Sequence, residues 1–279
     1  MVKESITYQC WSKAPPLQPF AKRFADTYEE CQVSWNPYCI KKDALFYQFR
    51  TGYSEDLIIE VIPDACLNVL FGLDASAPYA LFSGSFLSSV TLELKPGTTY
   101  FGFKPYSNLG FRSPIVSPRD MLDSYVDLTF AFPSAKRLIS DLLKVESMKD
   151  RVSVLLRYAA KDIVDDGYLP TFIDYMAIAI CSSCGKVVFK DLYQEIGYSE
   201  RYCREMFKEY YGMPPKRFSD IIRFQNTMKQ LTSGSYEDLS ALAVECGYFD
   251  QSHMTRDFRR YVNKPPERYI KGFYKECTL

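Results

Sequence analysis

Two groups of polar side chains able to read the edges of DNA bases lie about fifty residues apart near the C-terminus. The first is Glu200, Arg201 and Arg204; the second is Gln251, Ser252, His253, Thr255 and Arg256. Arginine reaches both acceptors of guanine, glutamine pairs with adenine, and Ser or Thr bonds several groups. Spacings of one, three and four put each group on one side of a helix, provided the opposite side is apolar. It is: Cys203, Phe207 and Tyr210 or Tyr211 recur opposite the first group, and Met254, Phe258 and Tyr261 opposite the second.

The elements that position these residues are written twice. Each reading helix has a capping residue before it, Ser199 in one case and Asp250 in the other. Each ends at a residue that tolerates the left-handed conformation, Gly212 or Asn263, followed by Pro214-Pro215 or Pro265-Pro266. A short helix precedes each, through Leu192 and Ile196 and then through Leu239, Leu242, Ala243 and Cys246, with Gly197 and Gly247 in the turns. With an offset of 51, Phe207 falls on Phe258 and Gly212 on Asn263. The pattern is a duplicated helix-turn-helix. Ile221, Phe224, Met228 and Leu231 mark a linking helix that holds the two units in fixed relation.

The run from Leu239 to Arg260, with Gly247-Tyr248-Phe249-Asp250-Gln251-Ser252-His253-Met254-Thr255-Arg256 at its centre and Pro265-Pro266 and Tyr269 after it, closely resembles the signature of AraC/XylS-type transcriptional regulators. Gly197-Tyr198-Ser199-Glu200-Arg201-Tyr202-Cys203-Arg204-Glu205-Met206-Phe207 resembles their first recognition helix. The likeness covers roughly residues 186 to 275 and departs at Cys203, usually Leu, and at Glu205, commonly basic or polar. It implies base contacts from the two groups above, and Ser199, Arg259, Arg260, Lys264 and Lys271 as phosphate contacts. It also implies an operator of double-stranded DNA as partner, a small-molecule effector, RNA polymerase where the protein activates, and a second copy of the chain.

Upstream, Ala44–Arg50, Leu57–Ile62, Cys66–Leu73, Tyr79–Ser83, Ser88–Lys95 and Thr99–Phe103 have strand length and are separated by turn signals at Pro63-Asp64, Pro78 and Pro96-Gly97. Short strands at this spacing predict a barrel or sandwich. Val61-Ile62-Pro63-Asp64, Gly84 and Lys95-Pro96-Gly97 resemble, more weakly, the cupin-like sensor domains of the same family. The expected class is α+β: a cupin-like β-barrel sensor over 1–132, helical connectors over 133–180, and the DNA-binding region over 181–279. Leu138, Leu142 and Val145, then Val152, Leu155, Leu156 and Ala159, form apolar stripes that suit either a dimer interface or packing on the barrel. Leu169-Pro170 interrupts the helices before Thr171–Ile180.

The chain has 34 Lys and Arg against 34 Asp and Glu, yet residues 251–275 hold 7 basic against 2 acidic groups, a local excess that fits phosphate contact. His253 is the one histidine, which excludes a His-ligated metal in the barrel; no cofactor or catalytic motif stands out. The alternatives are a cupin-like enzyme with an appended DNA-binding module, and a regulator controlled by a protein partner. Cys181 and Cys184 form a single CxxC, readable as a redox pair or as small residues at a helix end. Nine Cys at irregular spacing, no leader-like apolar run and no stretch of membrane-spanning length predict a cytoplasmic protein without a membrane partner. Tyr47, Phe49, Tyr53, Phe71, Tyr79, Phe82, Phe86, Tyr100, Phe101 and Phe103 are first of all core material; an effector pocket lined by some of them is what the family resemblance implies, and the pattern does not say which rings would touch a ligand.

Overall fold

Successive strand residues point to opposite faces, and the buried core follows that sorting. In the computed structural model, which describes residues 16–35, 42–53, 57–105, 113, 115–163, 171–234 and 236–276, eight strands fall into two antiparallel sheets. β1 (Glu29–Trp35), β2 (Lys42–Arg50), β4 (Asn68–Leu73), β5 (Tyr79–Ser83), β7 (Thr99–Pro105) and β8 (Tyr125–Asp127) form the larger, in the order β1-β2-β7-β4-β5-β8. Among the described residues, β3 (Leu57–Val61) and β6 (Val90–Leu94) pair only with each other. The expected barrel is therefore open, though the α+β class holds. Pro63 and Pro96 lie just past β3 and β6, and proline lacks the N–H that a continuing ladder needs.

On one face of the large sheet Phe46 stands opposite Phe103 and Phe71 opposite Phe101, all fully buried. This face is covered by α2 (Ala135–Leu142) and α3 (Met148–Tyr158), which follow the short α1 (Leu128–Ala131). Leu138, Leu142, Val152 and Leu155 pack into the same core. Their stripes are thus spent inside the chain, as the barrel-packing alternative had it, because the row of Phe rings needs a cover. On the other face Leu45, Tyr47, Phe49, Leu70 and Tyr100 pack with Ile59 and Leu94 of the small sheet and with Phe20 and Phe24 of a 3-10 turn at Pro19–Phe24.

The helices expected as one connector divide between two cores. α4 (Thr171–Ser182) buries Ile173, Met176, Ala177 and Ile180 among the C-terminal helices, not against the sheet. The Leu169-Pro170 interruption lies outside the described residues. Ile62 and Ala65, in the loop after β3, also belong to this C-terminal core, so the two parts of the molecule are in direct contact. The CxxC segment closes α4: Cys184 N–H donates to Cys181 O at 2.9 Å, Gly185 N–H donates to Ile180 O at 2.8 Å, and the two cysteines form no disulfide. No helix among the described residues is long and apolar enough to cross a membrane.

Candidate nucleic-acid interface

The two units have the geometry their sequence repeats predict. The first is α5 (Phe189–Ile196) and α6 (Glu200–Tyr211); the second is α8 (Leu239–Glu245) and α9 (Gln251–Val262). Between them runs α7 (Pro215–Ser233), about 28 Å long at 1.5 Å per residue; α10 (Pro266–Glu276) follows the second. Ser199 Oγ accepts from Tyr202 N–H at 3.3 Å, and Asp250 Oδ1 from His253 N–H at 2.7 Å. Gly212 and Asn263 end the two reading helices in the left-handed region, with φ of 72° and 55°.

The side chains expected to read bases lie where the N-terminal half of each reading helix is open. Glu200, Arg201 and Arg204 are exposed, and Arg204 meets Glu200 at 3.4 Å across one turn, a pair too solvated to fix either residue. In the second unit Ser252 and Arg256 are exposed, whereas Gln251, His253 and Thr255 are half-buried. Gln251 accepts from Ser240 Oγ at 2.9 Å and donates to Glu267 at 3.2 Å; His253 Nδ1 accepts from Phe249 N–H at 3.4 Å. Reading a base with Gln251 therefore means exchanging partners. Of the phosphate set, Arg259 and Arg260 are exposed near the end of α9, and Ser199 is engaged in its cap. Lys264 and Lys271 sit instead along a groove between β3 and α10 with Arg23 and Arg268, where Lys264 Nζ lies 3.8 Å from Glu60.

A buried ion pair that the repeat pattern did not disclose fixes the second unit. Arg223 of α7 donates to Asp257 of α9 at 3.0 Å and to Asp220 at 3.1 Å, and its guanidinium lies 4.5 Å from the centre of the Tyr248 ring. Burial raises the Asp257 carboxyl, opposed by the hydrogen bond and charge of Arg223. The available signal was Asp257 itself, a carboxylate beside Phe258 on the inner stripe. The exposed aromatics Tyr198 and Tyr202, tilted against Phe172 at 4.8 and 5.7 Å, and Phe249, 89% exposed, also border the reading helices.

The C-terminal ends of both readers rest on the β-region. Tyr261 O accepts from Ser89 N–H at 2.6 Å, and a Cβ on Gly212 would lie 2.3 Å from Pro118 O. A cavity of about 170 Å3 lies between the sheets, lined by Tyr47, Phe49, Leu70 and Phe86 among others, with Asp64 and Lys104 as its charged residues. Of the ten aromatics considered from sequence, Tyr47, Phe49 and Phe86 line it; Phe71, Phe82, Phe101 and Phe103 face the helical cover, and Tyr53 is exposed.

Residues 192–272 match a family model described as a helix-turn-helix domain. The HTH-type transcriptional regulator Rv1931c of Mycobacterium tuberculosis is 30% identical over 83 residues, 30% of this chain and 32% of that protein, so the chain spans about a third of the relative's length. Among solved structures the chain is similar to ToxT from Vibrio cholerae, with 11% identity, 88% of this chain and 98% of the other covered, and a TM-score of 0.42. A ToxT structure with an unsaturated fatty acid bound gives 12% identity, 88% and 95% coverage and a TM-score of 0.38. With its two capped units and this match over residues 192–272, the C-terminal region of this chain is a helix-turn-helix domain, similar to those of the AraC type.

Proposed function

We propose that this protein is a sequence-specific, DNA-binding transcription regulator of the cytoplasm, controlled by a small molecule held between its two sheets, and that it is not an enzyme. The observation that carries the reading is the pair of capped helices whose N-terminal halves expose arginines while their C-terminal ends are fastened. Arg201, Arg204, Ser252 and Arg256 read bases; Gln251, His253 and Thr255 join them after local rearrangement; Arg259 and Arg260 meet phosphates. The 19 residues of α7 hold the two readers apart as one rigid spacer, which suits adjacent major-groove segments on one face of the duplex. RNA polymerase, where the protein activates, and a second copy of the chain complete the proposed partners.

Selection of bound duplexes from a random pool by the full chain, followed by footprinting, tests this. A recovered motif with two protected segments about one helical turn apart is the expected result. Recovery of no motif, with binding that depends on salt alone, overturns it.

A further inference from the structure

The cavity is electrically closed. Among the described residues that line it, Lys104 is the one cation, and its ammonium donates to Asp64. Burial works against the Lys104 charge, but Asp64, with Tyr47 and Cys66, outweighs it and raises the lysine's pKa. Asp64 also accepts from Gln18 Nε2 at 2.9 Å and from Cys66 N–H at 3.0 Å. Among these described residues a carboxylate finds no unpaired cation, and displacing Asp64 strands a buried charge. Asn68 and Ser83, also on the wall, give hydrogen-bonding handles to a neutral group. An apolar cavity of about 150 Å3 accepts a benzene ring, so this one has room for one ring or two fused rings.

The same wall continues into the C-terminal core. Gln18 bonds both ways with Ile62, donating to its O at 2.9 Å and accepting from its N–H at 3.1 Å. The neighbouring Leu17 N–H donates to Gln225 Oε1 at 2.8 Å. Gln225 Nε2 donates to Pro63 O at 2.7 Å and to Leu17 O at 3.3 Å. Gln225 is buried in the middle of α7, the helix that spaces the two readers. We infer that the cavity takes a compact, mainly apolar, uncharged ligand of one or two rings, and that its occupancy reaches α7 through Gln18, the 62–66 loop and Gln225. This rests on the regulator reading above.

The test uses the full chain and two size-matched pairs of probes, benzyl alcohol against benzoate and 1-naphthol against 1-naphthoate, followed by calorimetry. A neutral member is expected to bind on the order of tenfold or more tighter than its charged counterpart, and Leu70→Trp, which fills the cavity, is expected to abolish that binding. Equal or tighter binding of the anions, or no binding by either pair, overturns the ligand class. With a duplex that the chain itself has selected, the bound probe is expected to change DNA affinity by about fivefold or more. Gln225→Met and, separately, Gln225→Leu should still bind probe and duplex while the change falls below about twofold. A full response in both variants overturns the route. Failure to select any duplex sinks the regulator reading instead, and leaves the calorimetry to decide the ligand class.

Discussion

The two helix-turn-helix units share a plan and differ in how they are held. In the first, Phe207 stacks on Tyr211 at 4.4 Å and meets Phe218 edge-on at 5.4 Å, and the inner stripe is otherwise apolar. In the second, Phe258 and Tyr261 pack on Phe224 at 5.2 and 4.8 Å, but the buried Arg223–Asp257 pair is added. With the offset of 51, Met206 occupies the place of Asp257. The turns differ as well: three residues run from Gly197 to Ser199, four from Gly247 to Asp250. The extra residue lets Tyr248 turn inward onto Arg223 and leaves Phe249 outside, whereas Tyr198 stays on the surface. Apolar stripes allow a helix to settle in several similar ways; a buried charge pair allows few. The second reader is the one whose orientation is specified chemically.

The sharpest way to break this contrast is Asp257→Ala, which leaves the buried Arg223 guanidinium with Asp220 as its one remaining carboxylate partner among the described residues and should cost about 2–3 kcal/mol of stability, with Met206→Ala costing less than half as much. Chemical denaturation of both variants measures the difference; equal losses would remove the distinction between the units. Arg204→Ala and Arg256→Ala should each cost about 1–3 kcal/mol on the selected duplex and relax preference at one base pair. If the two readers contribute equally, the losses match; a loss that is the same on random DNA identifies a phosphate contact.

Gly212→Ala should cost about 1–2 kcal/mol from the left-handed backbone, plus a displacement of the Pro118 segment. Asn263→Ala, at the equivalent end of the second reader, should show only the backbone cost, and a comparison of thermal melts separates them. The smallest effect is expected from Glu60→Gln. Released from its 3.8 Å partner, Lys264 would be available to phosphates, and the slope of log affinity against log salt should steepen by at most about one. No change in slope would remove Lys264 from the phosphate set.

The C-terminal half was legible because its determinants are local. Capping by Ser199 and Asp250 and helix ends at Gly212 and Asn263 all act within a few residues of where they are written. Six strands were legible for the same reason, from Ala44–Arg50 to Thr99–Phe103, but β1 and β8 were not, nor was the strand order: β7 sits between β2 and β4, a pairing set by distant partners. Which face an aromatic takes depends on that order, so Phe101 and Tyr100 were indistinguishable until the sheet was assembled. Gln225 carried no signal at all, since a glutamine within an apolar stripe reads as a surface residue, and its partners lie 162 and 208 residues away.

What Gln225 holds are main-chain groups, the Leu17 N–H and the Leu17 and Pro63 carbonyls. Every residue offers the same carbonyl, and every residue but proline the same amide. The joint between sensing and reading therefore does not depend on which side chains stand at positions 17 and 63. The walls of the cavity can be rewritten, at Leu70, Phe86 or Asn68 for instance, while the joint stays as it is. A descendant with a different ligand needs new lining residues and no new linkage, so that recognition and transmission are free to evolve separately.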